Sequence, residues 1–100
     1  MDTTGSRLRS LREAVEGLTP AEVGRLAGLK SPAHVGMLES AERGSRISAD
    51  VALALSDVLG CTVAWLVRGE GERPSDVAIN HAVGAARLAA TLPPASQEPS

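Results

Sequence analysis

The stretch LTPAEVGRLAGLKSPAHVGMLESAERG, residues 18–44, decides how this chain is read. Thr19 is a good helix N-cap, Pro20 suits the first helical position, and Glu22 stands three residues on, the spacing of a capping box. Val23, Leu26 and Ala27 then lay an apolar stripe along a short helix. Gly28 breaks the pattern. A second signal opens at Ser31, which can cap a helix with Pro32 at its first position, and runs through Val35 and Leu38 to Gly44. Two short helices around a glycine corner bury one face together, and the second keeps an outer face to present.

The same reading extends in both directions. Upstream, residues 6–16 place Leu8, Leu11 and Val15 on one helical face, with Arg7, Arg9 and Arg12 pointing away, and Gly17 ends that helix. Residues 1–5 are short, polar and expected to be mobile. Downstream, residues 43–47 read as a loop, and Ser48 caps a fourth helix with Asp50 in its first turn. Val51, Leu55, Val58 and Leu59 give it a buried stripe, and Gly60 stops it. Residues 62–67 form a short fifth helix whose Trp65 and Leu66 close the core beneath the first and fourth. Residues 69–74 are a linker by composition. Ser75 then caps a helix running to about Leu92, where Pro93 and Pro94 forbid continuation. The expected organisation is an all-α domain over 6–70, one further helix over 75–92, and a disordered tail over 93–100.

Composition narrows the function. One hundred residues suit one small domain. Trp65 is the single aromatic residue, which excludes aromatic stacking platforms for single-stranded nucleic acid. No apolar run is long enough to span a bilayer, no signal segment opens the chain, and the lone Cys61 cannot make an internal disulfide; together these predict a cytoplasmic protein. His34, His81 and Cys61 are scattered, without metal-ligand spacing or a nucleophile beside a base, so no enzyme activity, metal or cofactor is expected. No small-molecule effector is evident. The net charge is −2, against the basic footprint usual for a phosphate-binding domain. Its distribution leans the other way: seven basic and six acidic residues up to Arg46, three and six beyond it.

The runs Arg7-Leu8-Arg9-Ser10-Leu11-Arg12 and Leu18-Thr19-Pro20-Ala21-Glu22-Val23-Gly24-Arg25-Leu26-Ala27-Gly28, then Val35-Gly36-Met37-Leu38-Glu39-Ser40, Leu53-Ala54-Leu55-Ser56-Asp57-Val58-Leu59-Gly60 and Trp65-Leu66-Val67-Arg68-Gly69-Glu70-Gly71, carry a resemblance. In order and spacing they resemble the xenobiotic-response-element type of helix-turn-helix domain, the five-helix fold of the lambda and Cro repressors. The resemblance covers about two-thirds of the chain. It implies a five-helix lambda-repressor-like domain followed by one C-terminal helix. It also implies a structural role for Glu39, supporting the end of its helix and a neighbouring basic residue. Two departures stand out. Many relatives carry a glutamine where this chain has Pro20, and the turn from Gly28 to Pro32 is one residue longer than in the commonest members, which allows the second helix to start late.

On that geometry the helix starting near Ser31 enters the major groove of double-stranded DNA. Ser31, Ala33, His34 and Met37 are the candidate base contacts: His34 as donor or acceptor, Ala33 and Met37 against thymine methyls. Thr19, Lys30, Arg43, Ser45 and Arg46 are the candidate phosphate contacts, with Arg7 and Arg9 weaker ones. No Arg, Gln or Asn stands on the helix to make a bidentate base contact. The broad apolar face of Ile79, Val83, Ala86 and Ala90 on the last helix is expected to make a homodimer. The expected function is a repressor-like transcriptional regulator reading a palindromic operator. The alternative is a helix-turn-helix scaffold for protein–protein interaction, such as a toxin-neutralising module with weak or no DNA binding.

Overall fold

In the computed structural model, which describes residues 3–40 and 47–91, every regular element is helical. The order is α1 (Thr4–Glu13), α2 (Pro20–Leu26), α3 (His34–Ser40), α4 (Ala49–Leu59), α5 (Val63–Arg68) and α6 (Asp76–Thr91). This is an all-α helix-turn-helix fold of five helices with a sixth added at the C-terminal side.

Local chemistry accounts for most of the boundaries. α1 begins earlier than residue 6 because Thr3 and Ser6 form a reciprocal capping box, each hydroxyl accepting from the other's backbone N–H at 3.1 and 2.9 Å. Thr3 and Gly5 are therefore part of an ordered helix start, not a mobile lead. The helix also ends earlier, at Glu13, although Val15 still reaches the core. Ser48 caps α4 as expected, its hydroxyl accepting from the Val51 amide, while Thr62, expected inside the fifth helix, instead caps it by accepting from the Trp65 amide. Gly60 and Gly69 stop these two helices in the left-handed conformation that a side chain would strain.

Leu8, Leu11, Val23, Val35, Leu55, Leu59 and Leu66 are fully buried in one cluster, and Trp65 is 8% exposed beneath α1 and α4. Two arginines depart from the expected outward orientation. Arg7 lies buried along α1 and donates to the carbonyls of Leu66 and Val67, both at 2.9 Å, closing the C-terminal end of α5 with a positive charge. Arg12 turns inward to α3, as described below.

α6 packs on α4 and α2. Ile79 and Val83 are fully enclosed in the same core cluster, and Ala86 is half-buried against it. The face expected to pair with another chain is thus used within its own, and only Ala90 of the four stays exposed. The physical reason is that α2 and α4 leave apolar flanks, Leu26 and Val58 among them, which α6 covers. Polar pins secure it. Arg73 donates to the Ser10 hydroxyl and carbonyl at 3.0 and 3.2 Å, Asn80 to the Ala14 carbonyl at 3.0 Å, and Arg87 to both Glu22 oxygens at 2.7 and 2.9 Å. The expected helix end at Leu92 and the tail 93–100 lie outside the described residues.

Candidate nucleic-acid interface

α2 is built from both ends by its own sequence. The Thr19 hydroxyl accepts from the Glu22 amide at 3.1 Å and Pro20 occupies the first turn. The reciprocal half of the expected capping box is not made, because the Glu22 carboxylate takes both bonds from Arg87 instead. At the other end Gly28 adopts φ +74°, and the amides of Gly28 and Leu29 bond back to the carbonyls of Arg25 and Gly24 at 3.1 and 3.0 Å. That pair of bonds is a Schellman stop.

The chain then turns through Ser31, Pro32 and Ala33 before α3 begins at His34. The His34 amide bonds to the Ser31 carbonyl and the Val35 amide to that of Pro32, short-range turn bonds in place of a helical cap. Ser31 and Ala33 therefore sit in the lead-in to the helix and not on it. Gly24 makes this turn possible: a Cβ there would lie 2.7 Å from the backbone of Pro32.

α3 is held from behind. Val35 and Leu38 enter the core. Gly5 lets α1 approach so closely that a Cβ on it would strike the Leu38 carbonyl. Arg12 of α1 donates to both oxygens of Glu39 at 2.8 and 2.9 Å and to the Leu18 carbonyl at 3.0 Å. The two side chains are only 17% and 7% exposed, and the Glu39 carboxylate raises the Arg12 pKa above its usual value. Glu39 has the structural role that the resemblance implied, with Arg12 as the basic partner. Neither Gly5 nor Arg12 was singled out for this by pattern. No sequence period marks a contact between residues 27 positions apart.

The opposite side of α3 faces outward. Met37 is 68% exposed, and Ala33, Ser31 and Lys30 are exposed with it. Lys30, Ser31 and His34 line one open groove of about 580 Å³ with Ser48, Asp50 and Val51 at the start of α4. Lys30 enters no ion pair among the described residues, while Asp50 puts a negative charge in the same groove. A Cβ on Gly36 would sit 3.9 Å from Pro20, so the start of α2, with Thr19, runs beside α3 at Gly36. Arg7 is buried and spent on α5, which withdraws it from any phosphate contact, whereas Arg9 stays exposed beside Glu13 on α1, at 3.2 Å. Arg43, Ser45, Arg46 and the helix end near Gly44 lie outside the described residues.

Cys61 is half-buried against the core, and burial pushes its thiol up, favouring the protonated form. No helix among the described residues is long and apolar enough to cross a membrane.

The geometry agrees with comparison to known families. The sequence profile of the helix-turn-helix domain matches residues 4–68, from the first residue of α1 to the last of α5. The chain belongs to the helix-turn-helix domain family, whose members are in general DNA-binding regulators. No curated protein and no solved structure matches it.

Proposed function

We propose that this protein is a sequence-specific transcriptional regulator of the xenobiotic-response-element type, acting in the cytoplasm as a repressor-like homodimer on a palindromic operator. One observation carries the reading: α3 is clamped from behind by the Arg12–Glu39 pair while its outer side stays open. A rigidly seated helix with an open face is what major-groove entry requires. Met37 and Ala33 meet thymine methyls, His34 and Ser31 meet polar base edges, and Lys30 and the first turn of α2 at Thr19 meet phosphate.

A second reading is favoured by a separate observation. Among the described residues the outer face of α3 carries no Arg, Gln or Asn, and Asp50 shares the groove with Lys30. Such a face also suits a protein partner, as in a toxin-neutralising module.

Selection of bound fragments from a random double-stranded library at low salt decides between them. The regulator reading expects a palindromic motif whose affinity falls steeply with salt. In that background Lys30→Ala weakens all sequences alike, and His34→Ala changes the preference at one position. A selection that enriches nothing sinks the DNA reading and leaves the interaction module.

A further inference from the structure

We infer that Arg87 is a positioning residue for DNA binding: it draws the Glu22 carboxylate away from the first turn of α2 and cancels its charge there. The inference rests on the regulator reading above and names a residue, far from α3, on which the α2 side of that interface depends.

Glu22 is the third residue of α2, where a carboxylate ordinarily reaches back to the backbone N–H of the N-cap. One half of that box is present, the Thr19 hydroxyl accepting from the Glu22 amide at 3.1 Å. The other half is replaced. Both Glu22 oxygens accept from Arg87, at 2.7 and 2.9 Å, and the Thr19 amide bonds to nothing among the described residues. At α1 the equivalent box does close, the Ser6 hydroxyl accepting from the Thr3 amide at 2.9 Å. At α2 the side chain in that place is pulled to another helix.

The preference has a chemical reason. A guanidinium meets a carboxylate with two parallel charge-assisted bonds, and the Thr19 amide could offer only one. Ile79 and Val83 seat α6 in the core, so Arg87 is delivered to a fixed place. Arg25 is the other charged side chain lining the recess around the pair. α6 lies beyond residues 4–68 that match the helix-turn-helix profile, so this partner is supplied from outside the matched domain. Without it, Glu22 would close the box on Thr19 and set an uncancelled negative charge beside the turn proposed to meet phosphate. Like charges about 5–8 Å apart at a wet surface weaken binding by roughly three- to tenfold.

Two measurements on the full chain test this. The first is amide NMR without DNA. The Thr19 amide should follow protonation of Glu22, over about pH 3–6, several times more strongly in Arg87→Gln than in the parent. Equal responses overturn the proposal. The second is binding to a mixed-sequence DNA duplex at low salt, well below the melting temperature. Arg87→Gln should weaken it by about three- to tenfold. Adding Glu22→Gln should restore the parent affinity. Adding Glu72→Gln instead, at an exposed linker position that restores net charge alone, should not. A mere tether would be rescued by neither, since both double variants lack the bond between α6 and α2. That outcome, rescue by Glu72→Gln, or an Arg87→Gln protein that binds like the parent overturns the proposal. A parent that binds no duplex ends the regulator reading and this role with it, and the amide response tells the two failures apart.

Discussion

α2 and α3 are each seven residues long, and opposite means hold them. α2 is closed at both ends by its own neighbours: Thr19 and Pro20 at the start, Gly28 and Leu29 at the stop. α3 has neither device at its start, and its closest supports come from α1, through Gly5 and Arg12. Helices this short are unstable alone, so the difference decides which distant residues matter. The helix proposed to read DNA is positioned by residues that touch no DNA, and a change in α1 should be felt as a change in α3.

The largest effect should come from breaking that remote support. Glu39→Ala leaves the Arg12 guanidinium buried without its carboxylate, a loss of about 3–5 kcal/mol in chemical denaturation. Replacing Arg12 and Glu39 together by Met and Leu should recover most of it, since a buried pair is costly mainly when halved. If Glu39→Ala is nearly neutral, the remote-support account of α3 is wrong.

Gly5→Ala is the next test, because it adds one methyl where α1 meets the Leu38 carbonyl. Forcing the helices apart should cost about 1–3 kcal/mol and lower DNA affinity beyond what stability explains, as read by titration well below the melting temperature. The matching change in α2 should stay local. Thr19→Ala removes a cap worth about 1 kcal/mol, with a DNA effect limited to one phosphate contact.

The smallest effect concerns the third support of this unit, from α6 to α2. Arg87 holds the Glu22 carboxyl below the ordinary carboxylate range, chiefly through their hydrogen bonds. A depressed folded-state pKa contributes stability that is complete above the unfolded-state value and disappears as pH falls through the folded one. Denaturation midpoints should therefore fall on acidification below about pH 4.5, and Glu22→Gln should flatten part of that fall. The pair is partly solvated, with Arg87 40% exposed, so about 0.5–1 kcal/mol is expected. An identical acid profile in the variant would show that α6 is held by its apolar face alone.

Much of the fold was legible from the chain because its signals are local. Ser48 and Gly60 mark the helix they bound, and the 3.6-residue period of Leu8, Leu11, Leu55 and Leu59 marks what is buried. The candidate site was legible in outline for the same reason: Ser31, Ala33, His34 and Met37 surround the start of α3, and all but half-buried His34 are exposed. The late start of α3 was foreshadowed only by the length of its turn. An apolar period reports that a face is buried, not what buries it, so Ile79 and Val83 suited a second chain as well as their own core. A charged residue reports even less. Arg7, Arg9 and Arg12 stand close together in one helix, yet one closes α5, one stays at the surface with Glu13, and one clamps α3. Sequence by itself determined the order of the helices, the caps at Thr19, Ser48 and Gly60 and the class of fold, because backbone bonds and apolar periods involve residues a few positions apart. Only the tertiary structure decided which helix α6 covers and which arginine holds α3, because those choices depend on the distance between surfaces that meet after the chain has folded.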